Sequence, residues 1–463
     1  MIWQGRMYAL ISLGRLQEAL ATGERLLERH RAAGVRGGEA RALADTAEIL
    51  IKLGRLDEGL HRLANALLVL DRLPLANPRY TAAISSISEA ARAAELYELA
   101  DSSAAYATEA FALDPAQRVA AELQRAELLL EWGLRLEHVG LVEEADGKFA
   151  KAVGLVRPLV EADADLADAP LAAVLLALGL VKTGAVEEAR AAAGALVVPL
   201  RAGGHEHEAR LAHLAFGIAL RHRGEWAAAR REFLAATELA PLSSQRLIFQ
   251  FELARLVAEA EPGEAAGALF GAVRAQARYL WQLRNERRTM LQQARRRVEL
   301  EAARARADRV AAQDALTGLG NRRQFDRQLD DADLGSVVLV LVDVDRFKGI
   351  NDRYSHGTGD RVLREVAAVL RAHCRPEDVA VRLGGDEFAL FLRCDLGTAA
   401  RIGARIRAVI GARDWNELAP GLRVTLSIGV AAPAAGMTGR DLYDLADRQL
   451  YAAKRGGRDR VAA

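Results

Sequence analysis

Cysteine is nearly missing. Cys374 and Cys394 are the only two in 463 residues, which leaves no disulfide framework and no Cys-based metal site. Net charge is nearly missing too: 63 Lys and Arg against 62 Asp and Glu leave +1, so nothing draws the chain as a whole to nucleic acid or to a membrane surface. Long apolar runs are absent. The longest, Pro170 to Val181, is too short to span a bilayer and leads into "KTGAVEEAR". The opening "MIWQGRMYALISLGRLQEAL" reads as the start of an amphipathic helix and lacks the apolar core of a signal peptide. The expected setting is a reducing cytoplasm, with no nucleic-acid partner and no membrane span. What is present, 51% hydrophobic and 27% charged residues, is an ordinary globular composition with room for two or three domains.

Residues 1–258 are rich in Leu and Ala, almost free of strand signals, and repetitive. "LGRLQEAL" at Leu13 recurs as "LGRLDEGL" at Leu53, "VGLVEEAD" at Val139, "TGAVEEAR" at Thr183 and "RGEWAAAR" at Arg223. Each Gly is followed five residues later by a small residue: Ala19, Gly59, Ala145, Ala189 and Ala229. Most copies lie about 40 residues apart, and a weak unit around "AELYELADSSAAYATEAFALDP" lacks the Gly. Small residues at fixed helical positions let two helices approach closely, so the pattern predicts an all-α solenoid of helical hairpins that binds a protein, peptide or small ligand. It resembles tetratricopeptide repeats, with a period longer than their usual 34 or so residues. A plain helical bundle is the alternative.

Residues 259–313 shift to Arg, Ala, Gln and Glu with no Gly or Pro after Gly271, which predicts one long linker helix. Leu280, Leu291, Ala294, Val298 and Ala305 fall near heptad positions, but Arg284 and Arg287 lie on the same seam. That is a weak coiled coil needing help from its neighbours to pair. The arginines alternate with Glu286, Glu299 and Glu301, as on a solvated helix face.

From Asp314 to the last residue, strand patterns alternate with helical ones, the signature of an α/β domain. The run Val337 to Val342 is apolar on both faces, as in a covered central strand, and ends in Asp343 and Asp345, whose spacing places both on one face if the strand continues. "VRLGGDEFALFL" reads as a hairpin whose Gly-Gly turn is followed by Asp386 and Glu387. If hairpin and strand are neighbours, four carboxylates converge. Two like charges about 4 Å apart repel by roughly 4 kcal/mol at intermediate dielectric. Such a cluster calls for a cation, and all-oxygen ligands favour Mg²⁺ or Mn²⁺, with positions left open for phosphate. Lys348 follows in a turn suited to phosphate oxygens, Asn351 and Asp360 offer the donor and acceptor edges of a purine reader, and Lys454 and Arg458 flank the end of an amphipathic helix. Plainer roles exist for each: a solvated Lys348, a turn-capping Asn351, a Lys454 that complements a helix C-terminus.

Taken together, "DALTGLGNRRQFD", "LVDVDRFKGINDRYSHGTGD", "VRLGGDEF", "LSIGVA" and "YAAKRGGRDRV" resemble, in this order, the GGDEF family of diguanylate cyclases over about Asp314 to Val461, within a domain of residues 314–463. The resemblance implies a palm-like domain, a mostly antiparallel sheet covered by helices, that condenses two GTP into cyclic di-GMP with release of two pyrophosphates. By position, Asp343, the carbonyl of Val344 and Asp386 would hold the metal, and Glu387 would be the acid beside the 3′-hydroxyl. Lys348, with Lys454 and Arg458, would steady the phosphates; Asn351 and Asp360 would read guanine. Each domain holds one GTP, so catalysis implies a homodimer. "RPED" resembles the family's product-inhibition motif: Arg375 and Asp378 would grip cyclic di-GMP, with Arg405 supplied by a neighbouring domain. A helix-ending loop with a turn Asp is the plainer reading there. Ser355 departs from the family, which usually has Gly at this place. A reading from another class, a silent receptor for cyclic di-GMP or GTP signalling through the repeats, is opposed by the retained acids and Lys348.

Overall fold

The computed structural model describes residues 2–71, 80–110, 114–162, 168–240, 243–330 and 337–463. They fall into two compact units, Met1–Glu301 and Ala302–Ala463.

Left-handed turns shape the first unit. Its helices are α1 (Ile2–Ser12), α2 (Leu16–Ala32), α3 (Arg36–Lys52), α4 (Leu56–Leu70), α5 (Thr81–Ala93), α6 (Tyr97–Ala110) and α7 (Pro115–Val139). They continue as α8 (Val142–Glu161), α9 (Ala169–Lys182), α10 (Val186–Ala202), α11 (Glu206–His222), α12 (Trp226–Glu238), α13 (Ser243–Ala260) and α14 (Glu264–Ala311), which crosses the division between the units. The repeated Gly ends a helix at positive φ in Gly14, Gly54, Gly140, Gly184 and Gly224, and Gly34 and Gly204 do the same between hairpins. The next amide then donates to a carbonyl five residues back, Arg15 to Leu10 and Arg55 to Leu50, both at 2.9 Å, which satisfies helix-end carbonyls and reverses the chain. The small residue five places on is buried where the two helices meet. A Cβ at Gly59 would stand 2.6 Å from Ile51 Cγ1.

The weak unit keeps the turn without the glycine. Glu95 takes φ 58, and Leu96 N–H donates to Ala91 O at 2.8 Å. Here α14 docks: Arg284 Nε donates to Glu95 O at 2.8 Å, its guanidinium pairs with Glu98, and Arg287 reaches Glu95 Oε2 at 2.5 Å. Leu291 and Val298 are buried in the core of the repeats, with Trp281, Met290 and Ala294 packed against it. The heptad seam is therefore covered at Leu291, Ala294 and Val298 by the chain's own helices, while Ala305 is exposed, and the two arginines that interrupt the seam in sequence are its fasteners.

The second unit holds α15 (Arg322–Asp330), β1 (Val338–Val344), α16 (Phe347–Tyr354), α17 (His356–Ala372), β2 (Val379–Gly384), β3 (Glu387–Leu392), α18 (Leu396–Ala412), β4 (Leu426–Ala431), α19 (Gly439–Arg455) and β5 (Arg460–Ala462). The sheet order is β2-β3-β1-β4-β5, antiparallel except for the β4–β5 pair. Along β1, Val338, Val340, Val342 and Val344 enter one core with α17 and α18, while Leu339 and Leu341 enter another with α15 and α19. An unbroken apolar run thus becomes the covered central strand. At Gly429 of β4 a Cβ would lie 2.2 Å from Leu450 N, so the missing side chain lets α19 pack onto the sheet and carry Lys454 toward the end of β1.

Ser355, between α16 and α17, has φ 109 and ψ 157, a region kept essentially for glycine, while its side chain accepts from Thr358 N–H as the cap of α17. Glycine forfeits only a few tenths of a kcal/mol as a cap. Ser355→Gly is expected to stabilise the protein by about 1 kcal/mol, read as a higher urea midpoint at unchanged slope; a lower midpoint would show that the cap outweighs the strain.

Candidate functional site

Register alone brings two of the acids together. Asp343, the penultimate residue of β1, stands directly opposite Glu387, the first residue of β3. Asp386 precedes Glu387 in the β2–β3 turn, its carbonyl accepting from Val344 N–H at 3.2 Å. The turn is held from below: Arg382 donates to Gly385 O at 3.0 and 2.7 Å and reaches Asp314 Oδ1 at 3.3 Å. Gly320 N–H donates to Ala380 O, and Arg382 N–H to Gly320 O, so the "DALTGLG" segment is laced to the edge of β2. Neither Asp314 nor Arg382 stands out in the sequence by residue type or spacing. Their place inside the matched segments was the available signal.

Asp343 is buried, and Lys454 Nζ donates to its Oδ2 at 2.6 Å. Burial is the main cause that lifts its pKa from 3.8 to about 6; Lys454 pulls the other way, and the charges of Asp386 and Glu387 add to the rise. Asp345 does not join the cluster, which corrects the expectation of four converging carboxylates. β1 ends at Val344 and the chain turns left-handed at Arg346 (φ 55), which breaks the two-residue alternation. The Asp345 carboxylate instead accepts from Thr425 Oγ1 at 2.7 Å, Ser427 Oγ at 2.6 Å and Asp459 N–H at 3.0 Å, tying β1 to β4 and to the loop after α19.

Among the described residues no three His, Cys, Asp or Glu side chains are grouped closely enough to cage a metal ion. An open site of two carboxylates and a carbonyl, completed by water and phosphate, needs no such cage. The donor set at the end of β1 is all oxygen, and Asp343 carries a raised pKa that a cation would relieve. These residues fit a hard divalent ion.

Lys348 is exposed at the second position of α16. The amides of Gly349 and Ile350 turn back to Arg346 O, so the helix start is closed by a left-handed residue just after the acids. Asn351 lies one turn further along. Its buried Oδ1 has no hydrogen-bond partner among the described residues, and it sits where a Cβ at position 359 would be 1.9 Å away. Only glycine at 359 lets Asn351 lie there, with Asp360 next in the chain. Arg458, exposed at φ 65, follows α19. In the "RPED" loop Arg375 is exposed, whereas Asp378 fastens the turn: its oxygens accept from Arg375 N–H at 2.9 Å and Arg393 N–H at 3.0 Å. Arg405 is exposed on α18.

Residues 311–460 match the family described as "Diguanylate cyclase, GGDEF domain". The chain is 37% identical over 152 residues to diguanylate cyclase DgcS of Shewanella oneidensis, covering 32% of this chain and 50% of that protein. It is 42% identical over 163 residues to response regulator PleD of Caulobacter vibrioides, covering 33% of this chain and 36% of that one. The crystal structure of the GGDEF domain of DgcB from Caulobacter crescentus in complex with c-di-GMP is 38% identical, over 33% of this chain and 95% of that one, at TM-score 0.32. The chain spans half or less of the length of these two curated relatives.

A carboxyl with a raised folded pKa holds its proton more tightly in the folded state, so the unfolded chain ionises first. Stability from Asp343 is full below 3.8 and is lost as pH rises to about 6. In metal-free buffer, Asp343→Asn is expected to be more stable than the parent at neutral pH, by up to about 3 kcal/mol, with the gap closing near pH 4. Urea denaturation across that range checks it; a variant less stable at neutral pH would mean that the Lys454 pairing dominates.

Proposed function

With residues 311–460 belonging to the GGDEF family, we propose that the protein is a diguanylate cyclase that joins two GTP into cyclic di-GMP. The observation that carries the reading is the Asp343–Glu387 pairing across β1 and β3, with Asp386 in the turn before Glu387 and Lys454 on Asp343. In each of two equivalent steps a 3′-hydroxyl oxygen bonds to the α-phosphorus of the other nucleotide. The bond to the β-phosphate oxygen breaks, pyrophosphate leaves, and Glu387 takes the hydroxyl proton. Asp343, the carbonyl of Val344 and Asp386 would hold Mg²⁺, or Mn²⁺, which supplies positive charge against the phosphates when bound.

The chain's own groups do the positioning. Lys348 at the start of α16 and Lys454 and Arg458 at the end of α19 meet phosphate charge. Lys454 is held by Asp343 and so is already at the site. Asn351 Oδ1, buried without a donor among the described residues, suits an N–H on the guanine edge, and Asp360 beside Gly359 suits a second. Two such domains must face each other, so the active form is a homodimer. GTP as substrate implies a cytoplasmic enzyme; among the described residues no helix is long and apolar enough to cross a membrane. The helical unit, divided as 1–258 with the linker 259–313 before the cyclase 314–463, would regulate dimerisation through α14, whose apolar seam the repeats cover.

Full-length protein incubated with Mg²⁺ and GTP is expected to yield cyclic di-GMP by chromatography, and an Asp386→Ala/Glu387→Ala double variant at least about a hundredfold less. Equal product from both would end the assignment. The exposed Arg375, with Asp378 and the neighbouring domain's Arg405, forms the expected product-inhibition site. Because Asp378 also fastens its own turn, Arg375→Ala is the cleaner probe. The cyclic di-GMP concentration that halves turnover should rise about tenfold or more; an unmoved value would argue against the site.

A further inference from the structure

Just past α19 three residues in a row take positive φ. Gly457 has φ 118, Arg458 φ 65 and Asp459 φ 45, and only the first of them is glycine. Aspartate tolerates the left-handed region better than most residues, whereas arginine has no such tolerance. Backbone held this way persists where surrounding contacts over-determine it, and such places cluster at functional sites.

The contacts that hold it converge on Asp459. Its N–H donates to Asp345 Oδ2 at 3.0 Å. Arg407 of α18 donates to its carbonyl at 3.1 Å and to its Oδ1 at 3.0 Å. The Asp345 end of this clamp is itself fixed, since the residue is 7% exposed and its carboxylate also accepts from Thr425 Oγ1 and Ser427 Oγ. Arg458 is pinned on both sides of its own backbone. Its N–H donates to Ala453 O at 3.1 Å, in the last turns of α19, and its carbonyl accepts from Arg460 Nε at 3.2 Å.

Only the side chain of Arg458 is left at liberty. It is exposed, and among the described residues no carboxylate pairs with it, whereas Lys454 of α19 is paired with Asp343. A guanidinium is a fork-shaped donor suited to phosphate oxygens. An arginine side chain has much rotamer freedom, and binding costs less of it when the backbone beneath does not move.

We propose that Asp345 and Arg407 are positioning residues for the nucleotide: through Asp459 they hold the left-handed turn that sets where the Arg458 guanidinium meets phosphate. The inference rests on the cyclase reading for the identity of that nucleotide. Both residues act through the turn rather than on the nucleotide. Asp345 spends its oxygens on two hydroxyls and an amide, and Arg407 reaches in from α18 to Asp459. The plainer role is to fasten β5, which begins at Arg460, beside β4.

A double-mutant cycle separates the two roles. The readout is calorimetric titration of the full chain with Mg²⁺ and α,β-methylene-GTP, which cannot release pyrophosphate. Arg458→Ala is expected to weaken binding about tenfold or more. Arg407→Ala changes a partly exposed side chain and should melt close to the parent, yet weaken binding about threefold or more. Asp345→Asn, which keeps the shape and removes the charge, should weaken it at least as much. In the Arg458→Ala background neither substitution should cost anything further, because the side chain they position has gone. A fastener of β5 alone would loosen the strand ends whether or not Arg458 is present, and its losses would multiply with that of Arg458→Ala. A variant that binds like the parent, or whose loss multiplies, removes its residue from the role, and both doing so would overturn the proposal. A parent that binds the analogue but makes no cyclic di-GMP from GTP would tell against the cyclase reading, while the cycle still decides the positioning role. No binding of the analogue by the parent up to millimolar concentration would overturn both.

Discussion

Asp343, Asp386 and Glu387 lie at one end of adjacent strands, Asp343 buried, Asp386 half-buried and Glu387 exposed, and like charges gathered there repel unless something answers them. The domain answers in two ways. Asp343 is held by Lys454, which arrives from the far end of the chain on α19. Its remaining excess charge appears as a pKa lifted to about 6 by burial and by its acidic neighbours. Much of the second unit serves that arrangement: Gly429 lets α19 approach closely enough to deliver the lysine, and Arg382 with Asp314 keeps the turn of Asp386 in place.

A second acid at the same strand end shows how different neighbours make different residues of one type. Asp345 is two positions from Asp343 and just as buried, yet hydroxyls and an amide saturate it, so it fixes β4 and the final loop to β1. Asp378 is a milder case, since the carboxylate of the proposed product-binding motif also closes its own turn. Asn351 is the opposite, its Oδ1 buried beside a glycine and without a hydrogen-bond partner among the described residues.

In the helical unit the governing constraint is the left-handed turn. Glycine makes it without strain, and where the chain has Glu95 instead, the side chain, the carbonyl and the neighbouring ring of Tyr97 are all engaged with α14. The arginines of α14 that look like faults in a coiled-coil seam are buried or half-buried partners of that turn.

Local pattern was enough for much of this. The Gly-x₄-small repeat specified hairpins, because a left-handed cap and a close helix contact are both short-range demands. The run Val337 to Val342 specified a central strand, because both faces needed cover. The order of the matched segments singled out the acids, Lys348 and the glycines of the hairpin as candidates. Other matters required the tertiary structure. Whether Asp345 joins Asp343 depended on where β1 stops, which partners on β4 decide. That Lys454 rather than water meets Asp343 depended on helix packing 111 residues away. The seam of α14 was legible as apolar; what covers it was not, since heptad spacing is the same whether the partner is a second chain or the chain's own repeats. Sequence fixes which groups the chain has and how each local stretch bends. Burial, pairing and the protonation that follows belong to contacts between distant segments.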